Sequence, residues 1–315
     1  MTRPRGTWIS IPPGSRSRLI LPTASATATG GGLLLYQPMT VRARHTWRLA
    51  RWLAGTGVLG LLPDVEPPPL PDRLLEMIPP GGTFAAASTS LPSRRVVLIL
   101  DATGTPEAVA KVAGDEMGRR RLAAEAQALR TVARRLEPPV SAPSLLAAER
   151  DFIVVGAAAW HPRHDPWQIS PDVAAALGRF HATSNHPSHG DFAPWNLMRT
   201  ADGWILADWE DLQLDAEPFS DLFHYLVQSH ALLGHPRRHE LMAGLRGAGW
   251  VGSSVRAYAE AAGIEARDAG DAFAGYVAAS AERLERDPRR RGAAKAVRAR
   301  RRLLAGIAAE RRAGR

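Results

Sequence analysis

His189-Gly-Asp-Phe-Ala-Pro-Trp-Asn-Leu-Met198, with Ile205-Leu-Ala-Asp-Trp-Glu210 close behind, is the stretch from which the fold can be read. Trp204 to Ala207 reads as a strand that delivers Asp208 to its end, while Asp191 and Asn196 sit in the polar loop before it. Phosphoryl transfer from a nucleotide needs a base to orient an acceptor hydroxyl and two oxygen ligands to hold magnesium against the phosphates. One loop carboxylate, one amide a turn later and one carboxylate at a strand end meet that need. A blander reading gives the same three residues turn-capping and strand-ending duties.

Lysine usage is an independent test. Of 40 Lys plus Arg, lysine stands at positions 111 and 295 alone. Lys111 lies in the apolar run Glu107 to Ala113, which reads as a strand. A compact ammonium suits the α- and β-phosphates of a nucleotide, and the wide fork of Arg does not replace it there. The alternative is an edge-strand lysine whose stem covers apolar surface. From Asp115 to Leu136, Leu122, Leu129, Val132 and Leu136 recur at helical spacing, and Glu125 falls on the same stripe. A carboxylate facing inward needs a cation, and Lys111 on the preceding strand is the candidate; a glutamate at the stripe's edge reaching water is the other possibility.

Together these residues resemble the aminoglycoside phosphotransferase family, the small-molecule branch of the protein-kinase-like fold. His189-Gly-Asp191, Asn196 five residues after the aspartate, and Asp208 in the next strand-turn match its catalytic and metal loops. The resemblance implies an α+β fold of two lobes, a small antiparallel β-sheet lobe and a mostly α-helical lobe. It implies Asp191 as the base, Asn196 and Asp208 as Mg²⁺ ligands, and a Lys111–Glu125 ion pair that seats the phosphates of ATP or another nucleoside triphosphate. The turn after the first strand of the small lobe lacks Gly-x-Gly-x-x-Gly, so Ser88, Thr89 and Ser90 are the residues expected to offer hydroxyl and N–H groups to phosphate. His189 is expected to support the loop by hydrogen bonding, and Trp195 to pack beneath it. Asp221 opens the following helix and either holds the backbone of the catalytic loop or complements the helix dipole. Glu210 stands where protein kinases have glycine, which favours the small-molecule branch.

The expected organisation is an extension with a Pro-rich linker at 1–80, a nucleotide-covering small lobe at 81–158, a helical catalytic and substrate lobe at 159–285 and a basic tail at 286–315. Strands are expected at Arg18 to Pro22, Gly32 to Tyr36, Gly82 to Ser88, Arg94 to Leu100, Glu107 to Ala113 and Phe152 to Val155. An Arg-rich helix is expected over Thr40 to Leu53. Pro67-Pro-Pro-Leu-Pro71 marks the linker. Ser170-Pro-Asp172 is a helix start, with Ser as cap and Pro in the first turn.

Composition narrows the class. At 315 residues and 34.0 kDa the chain holds one large or two modest domains, and with no cysteine it has neither disulfides nor a thiolate metal site. No apolar run is long enough to span a membrane, and the first residues lack the apolar core of a signal peptide, so a cytoplasmic protein is expected. The net charge of +9 belongs to the tail: residues 286–315 carry twelve Lys/Arg and two acids, leaving the rest at −1. That argues against a nucleic-acid site in the body, and for a solvated, charged C-terminal helix that meets polyanions non-specifically at most.

The expected partner is a small-molecule hydroxyl acceptor: an aminoglycoside, sugar, nucleoside or amino alcohol. Glu210, Asp211, Asp215 and Glu217 could supply a pocket for a polycation, but such acids are also ordinary loop residues. Two rivals stand beside this reading. One is a catalytically silent nucleotide-binding scaffold with a protein or nucleic-acid partner. The other is a protein-serine kinase, disfavoured because no Ala-Pro-Glu segment follows Asp208.

Overall fold

The computed structural model describes residues 7–12, 19–88, 94–286 and 293–313. The fold is α+β and divides into two compact units, residues 1–133 with 143–162 and residues 134–142 with 163–315.

The first unit is built on a sheet. In chain order come β1 (Trp8–Ile11), β2 (Leu19–Pro22), α1 (Ala26–Gly32), α2 (Val41–Gly55) and the short α3 (Asp72–Glu76). Then β3 (Thr83–Ser88), β4 (Arg94–Leu100) and β5 (Pro106–Ala113) form a meander, followed by α4 (Glu116–Val132). β6 (Val140–Ser141) belongs to the other unit, and β7 (Leu145–Ala148) and β8 (Phe152–Gly156) complete the sheet. The seven strands lie in the order β1-β2-β3-β4-β5-β8-β7, with every pairing antiparallel. Both faces are buried, which is why β4 reads as one continuous apolar run. Val97 and Ile99 join Phe84, Ala110 and Phe152 on one side, while Leu98 and Leu100 join Ile9, Leu21 and Ala85 on the other.

Two expectations give way here. Gly32 to Leu35 is helical, not a strand: α1 runs into a 3₁₀ turn at Leu33–Leu35. Ser25 caps α1 by accepting from Ala28 N at 3.0 Å. A Cβ on Gly31 would lie 2.2 Å from the Gly104 carbonyl oxygen, and one on Gly32 would lie 2.8 Å from Ala85 Cβ. These glycines bring helix backbone hard against the sheet, and that packing overrides their poor helix propensity. The indoles of Trp47 and Trp160 donate to the Leu33 and Leu34 carbonyls at 3.0 and 3.1 Å, fixing the turn.

Nor is the Pro-rich segment 63–80 a linker. Leu74 is fully buried with Trp8 and Phe84, and Val65, Leu70 and Ile78 pack on the same cluster. Val65 N donates to Trp8 O at 2.7 Å, and Arg95 donates to Pro69 O at 3.0 Å. The described residues of 7–80 are thus built into the sheet unit, supplying the two strands at one of its edges and a cover for each face.

The second unit is mostly helical. It contains α5 (Pro171–Ala182), the hairpin β9 (Leu197–Arg199) and β10 (Trp204–Leu206), then α6 (Ser220–Gln228), α7 (Arg238–Leu245), α8 (Gly249–Ala262), α9 (Ala269–Arg286) and α10 (Ala293–Ala313). β6 pairs with β10 to make a three-stranded sheet. Ser170 caps α5 through Val173 N, and α5 lies so close to α8 that a Cβ on Gly178 would fall 2.4 Å from Tyr258 O. α10 is not simply solvated: Arg300, Leu303 and Ile307 are buried, Arg300 Nε donates to Ser280 Oγ, and Arg301 pairs with Glu285 at 2.8 Å. No helix among the described residues is long and apolar enough to cross a membrane.

Candidate active site

In the sheet unit, Lys111 lies on β5 opposite Val96 of β4 and Ile153 of β8. The alternation of the strand turns its side chain to the face where α4 packs, and Glu125 meets it from that helix. Lys111 Nζ and Glu125 Oε1 form a salt bridge with 8% and 2% of their side chains exposed. The pair expected from spacing is therefore formed, and water is excluded from it. Glu125 Oε2 is buried without a hydrogen-bond partner, so the arrangement holds an acceptor that its own surroundings do not use. The backbone of Ser88 ends β3 opposite Arg95; Thr89 and Ser90 lie outside the described residues.

In the helical unit, residues 188–196 form a loop held from several sides. Asp221, at the start of α6 and buried, accepts from His189 N at 2.7 Å, Ser188 Oγ at 2.8 Å and Gly190 N at 3.1 Å. Of its two expected roles, fastening the loop backbone is the one built. Gly190 has φ +82°, and a Cβ there would sit 1.9 Å from Asp211 O. Only glycine fits between His189 and Asp191.

His189 is fully buried, and burial pushes its pKa down despite the nearby carboxylates of Asp221 and Asp191. Its Nε2 lies 2.9 Å from Ala207 O, and its Nδ1 accepts from Asp191 N at 3.3 Å. These partners define a neutral ring with the proton on Nε2. It ties the loop to the end of β10. Trp209, also fully buried, packs edge-on against His189 with ring centroids 4.4 Å apart. Trp195, expected to pack beneath the loop, is half-buried.

Asp191 has 31% of its side chain exposed. Its Oδ2 accepts from Asn196 Nδ2 at 3.1 Å, and the same nitrogen donates to Asp191 O at 2.8 Å. Burial pushes the Asp191 carboxyl up, but His224, through its hydrogen bond first, outweighs it and holds it below the ordinary carboxylate range. The group is ionised at neutral pH.

The hairpin brings Asn196 and Asp208 to one end. Leu197 pairs with Leu206, and Ala207 N donates to Asn196 O at 2.9 Å. Asn196 and Asp208 thus each stand just beyond the last ladder pair. Asp208 has φ +67° and ψ +62°, left-handed backbone that a short polar side chain tolerates but that costs on the order of 1 kcal/mol or more. Because Asn196 spends both amide hydrogens on Asp191, its Oδ1 is left as a pure acceptor. That oxygen and a carboxylate make a hard donor set suited to Mg²⁺, which keeps several waters and takes phosphate oxygens for the rest. Among the described residues there is no cluster of three or more His, Cys, Asp or Glu that would make a closed metal cage.

A cavity of about 690 Å³ opens beside the loop in the same unit, with Gly190, Asp215, Glu217, His224, Asp268 and Tyr276 among its lining. Sequence reading missed His224, Asp268 and Tyr276. His224 Nε2 lies 2.9 Å from Asp191 Oδ1, and Tyr276 OH lies 2.8 Å from His224 Nδ1. The single sequence signal was that His224 follows Asp221 by three residues and so shares its helix face. Nothing local marks Tyr276.

No family model matches the sequence, and neither does any curated protein. Solved structures do resemble it, small-molecule phosphotransferases among them. A macrolide 2'-phosphotransferase from Brachybacterium faecium is 14% identical, with 68% of this chain and 92% of that one covered at a TM-score of 0.47. An ADP-bound aminoglycoside phosphotransferase is 10% identical over 72% and 93%, at 0.45. An amicoumacin kinase in complex with AMP-PNP, Ca²⁺ and Ami is 11% identical over 72% and 89%, at 0.46. The chain is similar in structure to aminoglycoside phosphotransferase-like proteins.

Proposed function

We propose that the protein transfers the γ-phosphoryl group of ATP to a hydroxyl of a small molecule. The observation that carries this reading is the Asp191–Asn196 pair, fastened in one loop beside the end of the hairpin that bears Asp208. Asp191 is ionised, partly open to solvent and next to a cavity of small-molecule size, as a group that orients an acceptor hydroxyl must be. Asn196 Oδ1 and the Asp208 carboxylate would hold Mg²⁺, which would neutralise charge on the phosphates. Lys111, kept in place by Glu125, would seat the phosphates of the nucleotide, with the turn at Ser88, Thr89 and Ser90 offering further donors. The acceptor would enter the cavity lined by Asp215, Glu217 and Tyr276.

The test is ADP release from Mg²⁺-ATP across a panel of hydroxyl compounds: aminoglycosides, sugars, nucleosides and amino alcohols. With an acceptor in hand, Asp191→Asn should cut turnover by roughly two to four orders of magnitude, the range for general acid–base groups. Nucleotide affinity should hardly move. Near-normal turnover in Asp191→Asn would remove the assignment. Tight nucleotide binding with no turnover for any acceptor would support a silent scaffold in its place.

A further inference from the structure

We infer that His224, backed by Tyr276, is a positioning residue for Asp191, and that the three form one hydrogen-bonded relay running from α9 through α6 to the loop carboxylate. The inference rests on the phosphotransferase reading for its purpose, but the geometry stands by itself. Asp191 Oδ2 is taken by Asn196, so only Oδ1 remains to be directed, and His224 Nε2 lies 2.9 Å from it. His224 is 15% exposed and held on its other side by Tyr276 OH at 2.8 Å from Nδ1.

The direction of the relay follows from Asp191. An ionised carboxylate oxygen only accepts, so the ring nitrogen 2.9 Å from it, Nε2, carries a proton that points at Asp191. We assign the Tyr276 O–H, whose phenol burial pushes well above the ordinary tyrosine range, as the donor that meets Nδ1. Phe223 and Phe273 pack around this end of α9 and α6, with Phe223 centred 6.0 Å from Tyr276. The carboxylate is thus gripped at both oxygens, by an amide from its own loop and by an imidazole from a helix. The grip fixes which lone pairs remain for an acceptor hydroxyl. A proton leaving that hydroxyl goes to Asp191, and His224 keeps its own.

Two measurements on the full chain test this. The first is the nitrogen spectrum of ¹⁵N-histidine-labelled protein, with His224 assigned through His224→Gln. The wild type should show an Nε2–H ring whose Nδ1 accepts a hydrogen bond. Tyr276→Phe should shift Nδ1 alone, and Asp191→Asn should shift Nε2 alone. An Nδ1–H ring, or a ring blind to both changes, would overturn the relay whether or not the protein transfers phosphate. The second follows once an acceptor is known. His224→Gln should lower kcat about 10- to 100-fold while leaving the KM for nucleotide unchanged, and Tyr276→Phe should lower it less. Unaltered kcat in His224→Gln, in a protein where Asp191→Asn is inactive, would overturn the positioning role and leave the phosphotransferase reading intact.

Discussion

At Lys111 the ammonium is sealed against Glu125. Lys111→Arg should therefore lose most turnover although the charge is kept, because a planar guanidinium is wider and donates in a fixed fork. Lys295→Arg in the same assay is the matched control and should be silent; equal activity in both variants would strip Lys111 of its role. His189 offers a different measurement. Its folded pKa lies below the ordinary 6.5, so the unfolded chain binds a proton that the folded chain refuses. Stability is then fully present above 6.5 and is lost as pH falls below it. His181 is shifted the same way by burial, so the comparison must be made against a His189→Gln variant. That variant should be less stable at neutral pH but show a flatter acid slope of melting temperature. An unchanged slope would mean that His189 takes up its proton without cost. The Lys111–Glu125 contact was legible in the sequence because a short strand and one helix fix it within fourteen residues. The His224–Tyr276 contact spans 52 residues and two helices, and no local pattern carries it.

At the scale of elements, what could be read depended on whether period and packing agreed. β3, β4, β5 and α4 follow their apolar pattern, and the structure has them where that pattern puts them. α1 breaks the rule, since Ala-Thr-Ala-Thr-Gly-Gly-Gly is a poor helix sequence. It exists because Gly31 and Gly32 let it lie against Gly104 and Ala85. Proline runs at 63–80 read as a spacer, yet Leu70, Leu74 and Ile78 between them are what the sheet needed for a cover. α10 is the element where this matters most for experiment. Ending the chain before Arg286 removes the buried Leu303 and Ile307 and leaves Ser280 Oγ without its Arg300 donor. At about 1.5–3 kcal/mol for each buried aliphatic side chain, the loss is on the order of 3–6 kcal/mol, and the melting temperature should drop accordingly. The same cut removes a net charge of +10 from a chain otherwise at −1, so affinity for heparin or DNA should vanish with it. Salt-sensitive DNA binding by the shortened protein would show that the charge had been put in the wrong place.

Over the whole molecule, the division into a sheet unit and a helical unit follows the chain closely, with a crossing near 162 and a short return at 134–142. The two-lobed expectation set the change at 158–159, in the run Gly156 to Ala159. That the sheet would have seven strands could not be read, because β1 and β7 are each four residues long and their partners are chosen by burial. The way the outermost strand ends has a consequence for handling the protein. A free strand edge is an open invitation to another chain, and long-lived solutions of sheet proteins fail at such edges. Here Val65 donates to Trp8 at the rim of β1, a bridge that occupies the Trp8 carbonyl. Val65→Pro removes that donor and should make concentrated stocks associate in light scattering; monodisperse stocks of that variant would mean that something else guards the rim.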